Sequence, residues 1–157
     1  MVGRPHFAQA LLSKGYVASR QEAFDRYLAK GKPAYTDRLR FSPADSIAAI
    51  RGAGGLPVLA HPFTLKLEPA ALKSAVKELA DAGLQGIEVY YPEHAPAQVR
   101  QYGELAGAFG LVATGGSDFH GGNNPAIEMG RGFGSLDVPD EVVDALERRR
   151  GASAARR

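Results

Sequence analysis

Asp118 and His120 stand two residues apart in Thr114-Gly115-Gly116-Ser117-Asp118-Phe119-His120-Gly121-Gly122, directly after the apolar run Gly110-Leu111-Val112-Ala113. A carboxylate oxygen and an imidazole nitrogen so placed can close on one cation, and this donor pair suits Zn, Mn or Fe. Glycines on both sides let the backbone turn sharply and approach a ligand closely. The other reading of the same residues is a Gly-rich turn in which Asp118 caps the adjoining segment of chain. A second stretch, Val58-Leu59-Ala60-His61-Pro62, sets another imidazole after another apolar run. A third, Gly86-Ile87-Glu88-Val89-Tyr90-Tyr91-Pro92-Glu93-His94, does so again. The chain has four histidines, and His61, His94 and His120 share this placement, which histidines scattered over a surface would not select.

Each of these residues also has a local reading. His61 before Pro62 is either a ligand or a strand-ending residue bonded to a neighbouring loop. His94 precedes Ala95-Pro96 and is either a ligand or a cap on the next helix. Glu88 lies inside an apolar strand, where a carboxylate is costly unless paired or bound to a cation; an outward orientation toward a Lys or Arg is the stronger expectation. Arg4 and His6, in Gly3-Arg4-Pro5-His6, open a helix whose N-terminal N–H groups favour anions, so both are phosphate-contact candidates beside a purely local role for His6. Arg38 belongs to the basic loop Lys32-Pro33-Ala34-Tyr35-Thr36-Asp37-Arg38-Leu39-Arg40, which suits phosphate or is simply solvated.

The elements that must position these groups are read from hydrophobic spacing. Residues 1–40 form a separate helical unit. Pro5 sits in the first turn of a helix reaching about Lys14, with Phe7, Ala10, Leu11 and Lys14 at helical spacing and Gly15 as C-cap. Ser19 and Glu22 fit a capping box for a second helix that buries Ala23, Phe24, Tyr27 and Leu28. From Phe41 the pattern alternates. A helix opens at Ser42-Pro43, a strand covers 56–60, a helix 69–82, a strand 86–91, a helix 95–109, a strand 111–114, and a last helix runs from Pro139 to about Arg150. Strands alternating with helices of about ten or more residues predict parallel βαβ units, an α/β fold. In such folds ligands bind beyond the carboxyl ends of the strands, where His61, His94, Asp118 and His120 fall.

Composition bounds the class. A chain of 157 residues, 45% hydrophobic, is a globular domain or a piece of one. It has no cysteine, hence no disulfide and no thiolate metal site, and no apolar run long enough to cross a bilayer. No N-terminal signal pattern is present, and a cytoplasmic location is the expectation. The formal charge of +2 is mild. Part of the cationic character lies at the C-terminus, in the stretch 148–157, of which residues 151–157 read as a basic disordered tail.

The runs Gly3-Arg4-Pro5-His6-Phe7-Ala8, Leu59-Ala60-His61-Pro62, Gly86-Ile87-Glu88-Val89-Tyr90-Tyr91-Pro92 and Gly115-Gly116-Ser117-Asp118-Phe119-His120-Gly121, in this order, resemble the polymerase-and-histidinol-phosphatase (PHP) metal-dependent phosphoesterases. The nearest group removes the 3′-phosphate from nucleoside 3′,5′-bisphosphates and degrades short RNA from its 5′ end. The resemblance implies the C-terminal portion of a distorted (β/α)7 barrel over residues 41–150, with a small helical insertion over residues 1–40. It implies two or three divalent ions, Mn, Fe or Zn, with His61, Asp118 and His120 as metal ligands, Asp118 and His120 as catalytic groups, and a nucleotide or short RNA as substrate. Side chains of His61, Asp118 and His120 are expected within roughly 10 Å of one another, since ions in multinuclear sites lie about 3.5–4 Å apart.

The family's opening His-x-His strand, its downstream Asp, and the His, Glu and His after it are not matched here. The resemblance therefore implies a fragment that is inactive alone. It also implies either a partner that supplies the N-terminal half or self-association through an open sheet edge, with Val58, Leu59, Ile87, Val89, Leu111 and Val112 only partly covered. Two alternatives stand beside this reading: the PHP module of a bacterial DNA polymerase, and a non-catalytic module that binds RNA or a partner.

Overall fold

The computed structural model describes residues 3–36 and 41–154, and the chain divides into two compact units, Met1–Arg40 and Phe41–Arg157. In the first, helix α1 (Arg4–Ser13) begins with Pro5 in its first turn and gives way at Gly15, whose φ of +72° needs a residue without Cβ. Helix α2 (Arg20–Ala23) continues through a wider turn, Phe24–Leu28. Ser19 Oγ accepts the Glu22 N–H at 3.0 Å, while Glu22 Oε2 reaches back to the N–H of Ala18 at 2.7 Å, one residue before the N-cap. The buried residues are Ala8, Val17, Ala23 and Leu28, flanked by Leu11, Leu12, Phe24 and Tyr27. The expected α1 face is thus displaced. Phe7 is 56% exposed, because Ala8, Leu11 and Leu12 form the set that meets Val17 and the second helix.

The second unit carries the alternation. Helix α3 (Pro43–Gly52) is followed by β1 (Val58–Leu59), α4 (Pro69–Asp81), β2 (Gly86–Tyr90), α5 (Pro96–Phe109), β3 (Val112–Gly115) and α6 (Glu141–Ala154). Three helices start on proline, which donates no hydrogen bond and is preset for the first turn. Ser42 Oγ caps α3 by accepting from the Asp45 N–H, and Gln98 Oε1 accepts the Ala95 N–H at the start of α5. The strands are parallel in the order β1-β2-β3. Leu59 pairs with Ile87 and Ile87 with Ala113, and the β2–β3 register slips between Glu88 and Tyr90.

Alternation along β2 sends Ile87 and Val89 into a core with Leu72 and Val76 of α4 and with Tyr102, Leu105 and Ala106 of α5. Glu88 is left on the opposite face. The helices supply more cover than expected: Ile87, Val89, Leu111 and Val112 are all buried, and Val58 on the outer strand is exposed. Two further expectations change. β1 is only two residues long, and α6 begins at Glu141 and runs on through Ala154, so residues 151–154 are helical where a disordered tail was read. Propagating an existing helix adds one hydrogen bond per residue fixed, which carries it past Gly151 into Ala152. The described residues form an open α/β layer of three parallel strands.

The end of β3 allows a contrast between adjacent glycines. A Cβ on Gly115 would lie 2.6 Å from Tyr90 Cβ and 2.7 Å from its carbonyl oxygen; one on Gly116 meets only Glu88 Oε1, at 3.6 Å. Gly115→Ala is expected to cost about 1–3 kcal/mol in urea unfolding, and Gly116→Ala about 0.5 kcal/mol or less. Equal effects at the two positions would show that the β2–β3 approach is not as close as described.

Candidate functional site

Parallel strands end on one edge, so the segments after β1, β2 and β3 emerge side by side. His61 follows β1 in a left-handed conformation, φ 31° and ψ 62°. A residue before proline favours extended backbone, so this turn has to be held from outside. Both its backbone groups are tied. The His61 N–H donates to Glu88 Oε2 at 2.6 Å, and its carbonyl accepts from the Thr64 N–H at 3.0 Å and from Thr64 Oγ1 at 2.9 Å. Thr64 Oγ1 also lies 3.4 Å from His61 Nδ1.

Glu88 does not turn outward to a Lys or Arg. Its partly buried side chain spans from β2 toward the end of β1, because the His61 N–H is left without a strand partner there. Burial raises its pKa above the usual carboxylate value; the His61 N–H and the nearby His61 and His94 oppose that rise, and Asp118 adds to it.

Tyr91, just past β2, is buried and donates its hydroxyl to Asp118 Oδ2 at 3.2 Å. Its ring meets the His61 ring edge-on, with centroids 5.9 Å apart. Burial first, then the Asp118 charge and hydrogen bond, push the phenol up to about 12. One side chain therefore touches two ligand candidates that come from different strands.

Asp118 also has a positive φ, 52°. Its carbonyl accepts from His120 Nδ1 at 2.7 Å; a carbonyl cannot donate, so Nδ1 carries the proton and Nε2 is the nitrogen left for a ligand. Asp118 Oδ1 is 3.7 Å from the same Nδ1, too far for a hydrogen bond. Ser117 is buried, and its hydroxyl accepts the Gly130 N–H at 3.0 Å, tying this turn to the loop after it.

His94 is not the cap of α5, whose first free N–H goes to Gln98. It is buried in a box of rings formed by Phe63, Tyr91 and Tyr102, with centroid separations of 4.9–5.4 Å. Nδ1 donates to the Val89 carbonyl at 2.9 Å, and the buried Nε2 has no hydrogen-bond partner. Arg4 and His6 belong to the first unit. Arg4 reaches the Leu28 carbonyl at 3.4 Å and lies over the Tyr35 ring, and His6 Nδ1 accepts the N–H of Gly3 at 3.0 Å. Arg38 lies outside the described residues.

Among the described residues, no group of three or more His, Asp or Glu side chains is arranged to hold a metal ion. The arrangement supplies an Asp118–His120 pair with one ring nitrogen fixed as an acceptor, and His61 linked to it through Tyr91. Such a donor set fits a divalent cation in chemistry and leaves further coordination positions to be filled. Tyr91 and Thr64 were missed in the sequence. Thr64 had a signal, a hydroxyl three residues after His61 across a proline, as in a local turn motif; Tyr91 had none beyond the apolar run.

No protein-family model matches the chain. The 3′,5′-nucleoside bisphosphate phosphatase of Chromobacterium violaceum is 34% identical over 130 residues, which cover 83% of this chain and 46% of that protein. The 5′-3′ exoribonuclease Rnm of Escherichia coli is 36% identical over 130 residues, 83% of this chain and 44% of that one. A crystal structure from Bifidobacterium adolescentis, assigned as a metal-dependent phosphoesterase, superimposes with a TM-score of 0.69 at 30% identity over 94% of this chain and 50% of its own. The chain spans about half the length of the curated relatives it matches. It is a homologue of these phosphoesterases across the region it shares with them, as the PHP resemblance of its motifs implied.

The Tyr91 phenol makes stability depend on alkaline pH. Its folded pKa of about 12 lies above the ordinary value of 10, so the folded chain holds this proton after the unfolded chain has lost it. The stabilisation is complete below about pH 10 and is lost as pH rises toward about 12. The unfolding free energy of the parent minus that of Tyr91→Phe should stay level to about pH 9.5 and then decline. A flat difference up to about pH 12 would show that the phenol is not held in this way.

Proposed function

We propose that this chain carries part of the active site of a metal-dependent phosphoesterase acting on nucleotides, as nucleoside 3′,5′-bisphosphates or the 5′ ends of short RNA. The observation that supports it most is the arrival of His61 and Asp118 from different strands on the single side chain of Tyr91, both with left-handed backbone. Backbone held in sparsely populated regions gathers at functional sites. Divalent ions, two or three of Mn, Fe or Zn, supply phosphoryl polarisation and a water of lowered pKa when bound. Asp118 and His120 Nε2 hold one ion, and His61 a neighbouring one. Arg4, His6 and Arg38 pair with substrate phosphate.

Coordination positions that these three residues leave open go to water or to a partner chain that joins the open sheet, so metal binding and turnover by this chain alone are weak. Relatives named for phosphatase and exoribonuclease activity do not favour a polymerase module or a non-catalytic binding module.

The test is release of inorganic phosphate from adenosine 3′,5′-bisphosphate, or of mononucleotides from a short 5′-phosphorylated RNA, with Mn²⁺. Slow turnover is expected, with Asp118→Ala and His120→Ala each lowering Mn²⁺ affinity more than about 10-fold and removing the activity. Unchanged Mn²⁺ binding in both variants would sink the proposal.

A further inference from the structure

β2 lies between the two strands that lead to the ligand candidates, and it reaches toward both. On one side Glu88 Oε2 takes the His61 N–H at 2.6 Å; on the other Tyr91 gives its hydroxyl to Asp118 Oδ2 at 3.2 Å. We propose that Glu88 and Tyr91 are positioning residues, through which the central strand aligns His61 and Asp118 for metal. This rests on the reading of His61 and Asp118 as ligands.

The geometry makes the role specific. His61 adopts φ 31° ahead of a proline, a conformation that local sequence disfavours, and its carbonyl is already engaged by Thr64. With the N–H also fixed by Glu88, the peptide cannot relax to an extended strand, and the ring is presented at the edge. Asp118 likewise sits at φ 52°. The Tyr91 hydrogen bond occupies Oδ2 and orients the carboxylate. Tyr91 in turn cannot swing away, since its ring is packed against Phe63 and His94. Tyr91 bonds the Asp118 carboxylate directly, and Glu88 acts through the His61 backbone; outer partners of metal ligands commonly change metal affinity about 10- to 100-fold when removed.

The experiment uses the full chain and Zn²⁺ alone, followed by calorimetric titration, with the His61 backbone amide observed by NMR. His61→Ala and Asp118→Ala define the loss caused by removing a ligand. Glu88→Ala is expected to weaken Zn²⁺ binding about 10- to 100-fold and to move the His61 amide proton upfield as its short bond to a carboxylate disappears. Glu88→Asp, which withdraws the carboxylate by one methylene, should do the same if Glu88→Ala does not fold. Glu88→Gln retains an acceptor oxygen and should restore most of the affinity, a rescue that simple loss of packing would not show. Tyr91→Phe should weaken Zn²⁺ binding with the His61 amide left in place. Parent-like Zn²⁺ affinity in Glu88→Asp and Tyr91→Phe, with loss in His61→Ala and Asp118→Ala, overturns the alignment role and leaves the ligands standing. Unchanged affinity in His61→Ala and Asp118→Ala overturns the ligand reading and the alignment role with it.

Discussion

A carboxylate inside an apolar strand is the constraint on which this site depends. Glu88 is flanked by Ile87 and Val89, both packed into the helix-side core, so the strand cannot rotate to present it to solvent. Withdrawing a carboxylate from water costs several kcal/mol in general, and one charge-assisted hydrogen bond returns about 1.5–3. The His61 N–H therefore offsets the cost at best and leaves little surplus. A leucine at position 88 would carry no such desolvation cost. Departures of this type, where a local rule is broken without gain in stability, are expected at functional positions.

Beneath the site lies a second apolar layer that makes it rigid. Phe63 comes from the turn after β1, Tyr91 and His94 from the segment after β2, and Tyr102 from α5, so four rings from three parts of the chain interlock. Aromatic pairs contribute roughly 0.5–1.5 kcal/mol each beyond the area they bury. That gain works against the cost of His94 Nε2, buried without a partner. The box holds Tyr91 in place, and Tyr91 holds Asp118. The packing of the core is in this way connected to a carboxylate at the surface.

Much of this was legible in the sequence, and the failures have physical causes. Proline at the start of three helices and alternating apolar runs gave the α/β order, because those signals are local. The placement of His61, Asp118 and His120 after the ends of parallel strands was legible, since parallel topology brings such ends to one edge. Glu88 was misjudged because periodicity tells which face a residue occupies, and not which groups lie on that face. The ring box around His94, which replaces the cap reading, was not legible because its surroundings are assembled from residues up to 31 positions away, Phe63 to His94. The left-handed turn at His61 runs against the preference of any residue before proline, and Glu88 and Thr64 bond its backbone.

The second unit is unevenly held together, and the unevenness bears on the segment that carries Asp118 and His120. Its core joins α4, α5 and β2 around the fully buried Val76 and Ile87. On the far side α6 lies along β3, and a groove of about 540 Å³ opens between them, lined by Leu111, Val112, Val142 and Ala145 among others. Arg149 anchors that helix through a 2.6 Å bond to the Gly110 carbonyl, at an exposed position. Residues 116–138, which carry Asp118 and His120, connect the well-packed strand to this loosely packed helix. Within that connection Ser117 Oγ accepts from the Gly130 N–H and Glu128 pairs with Gly132, beside short-range turn bonds such as those from the Ile127 N–H to Asn124 and from the Leu136 N–H to Arg131. Segments with few buried contacts open at lower free energy than the core. A cation bound between Asp118 and His120 adds its binding free energy to the ordered form of that segment.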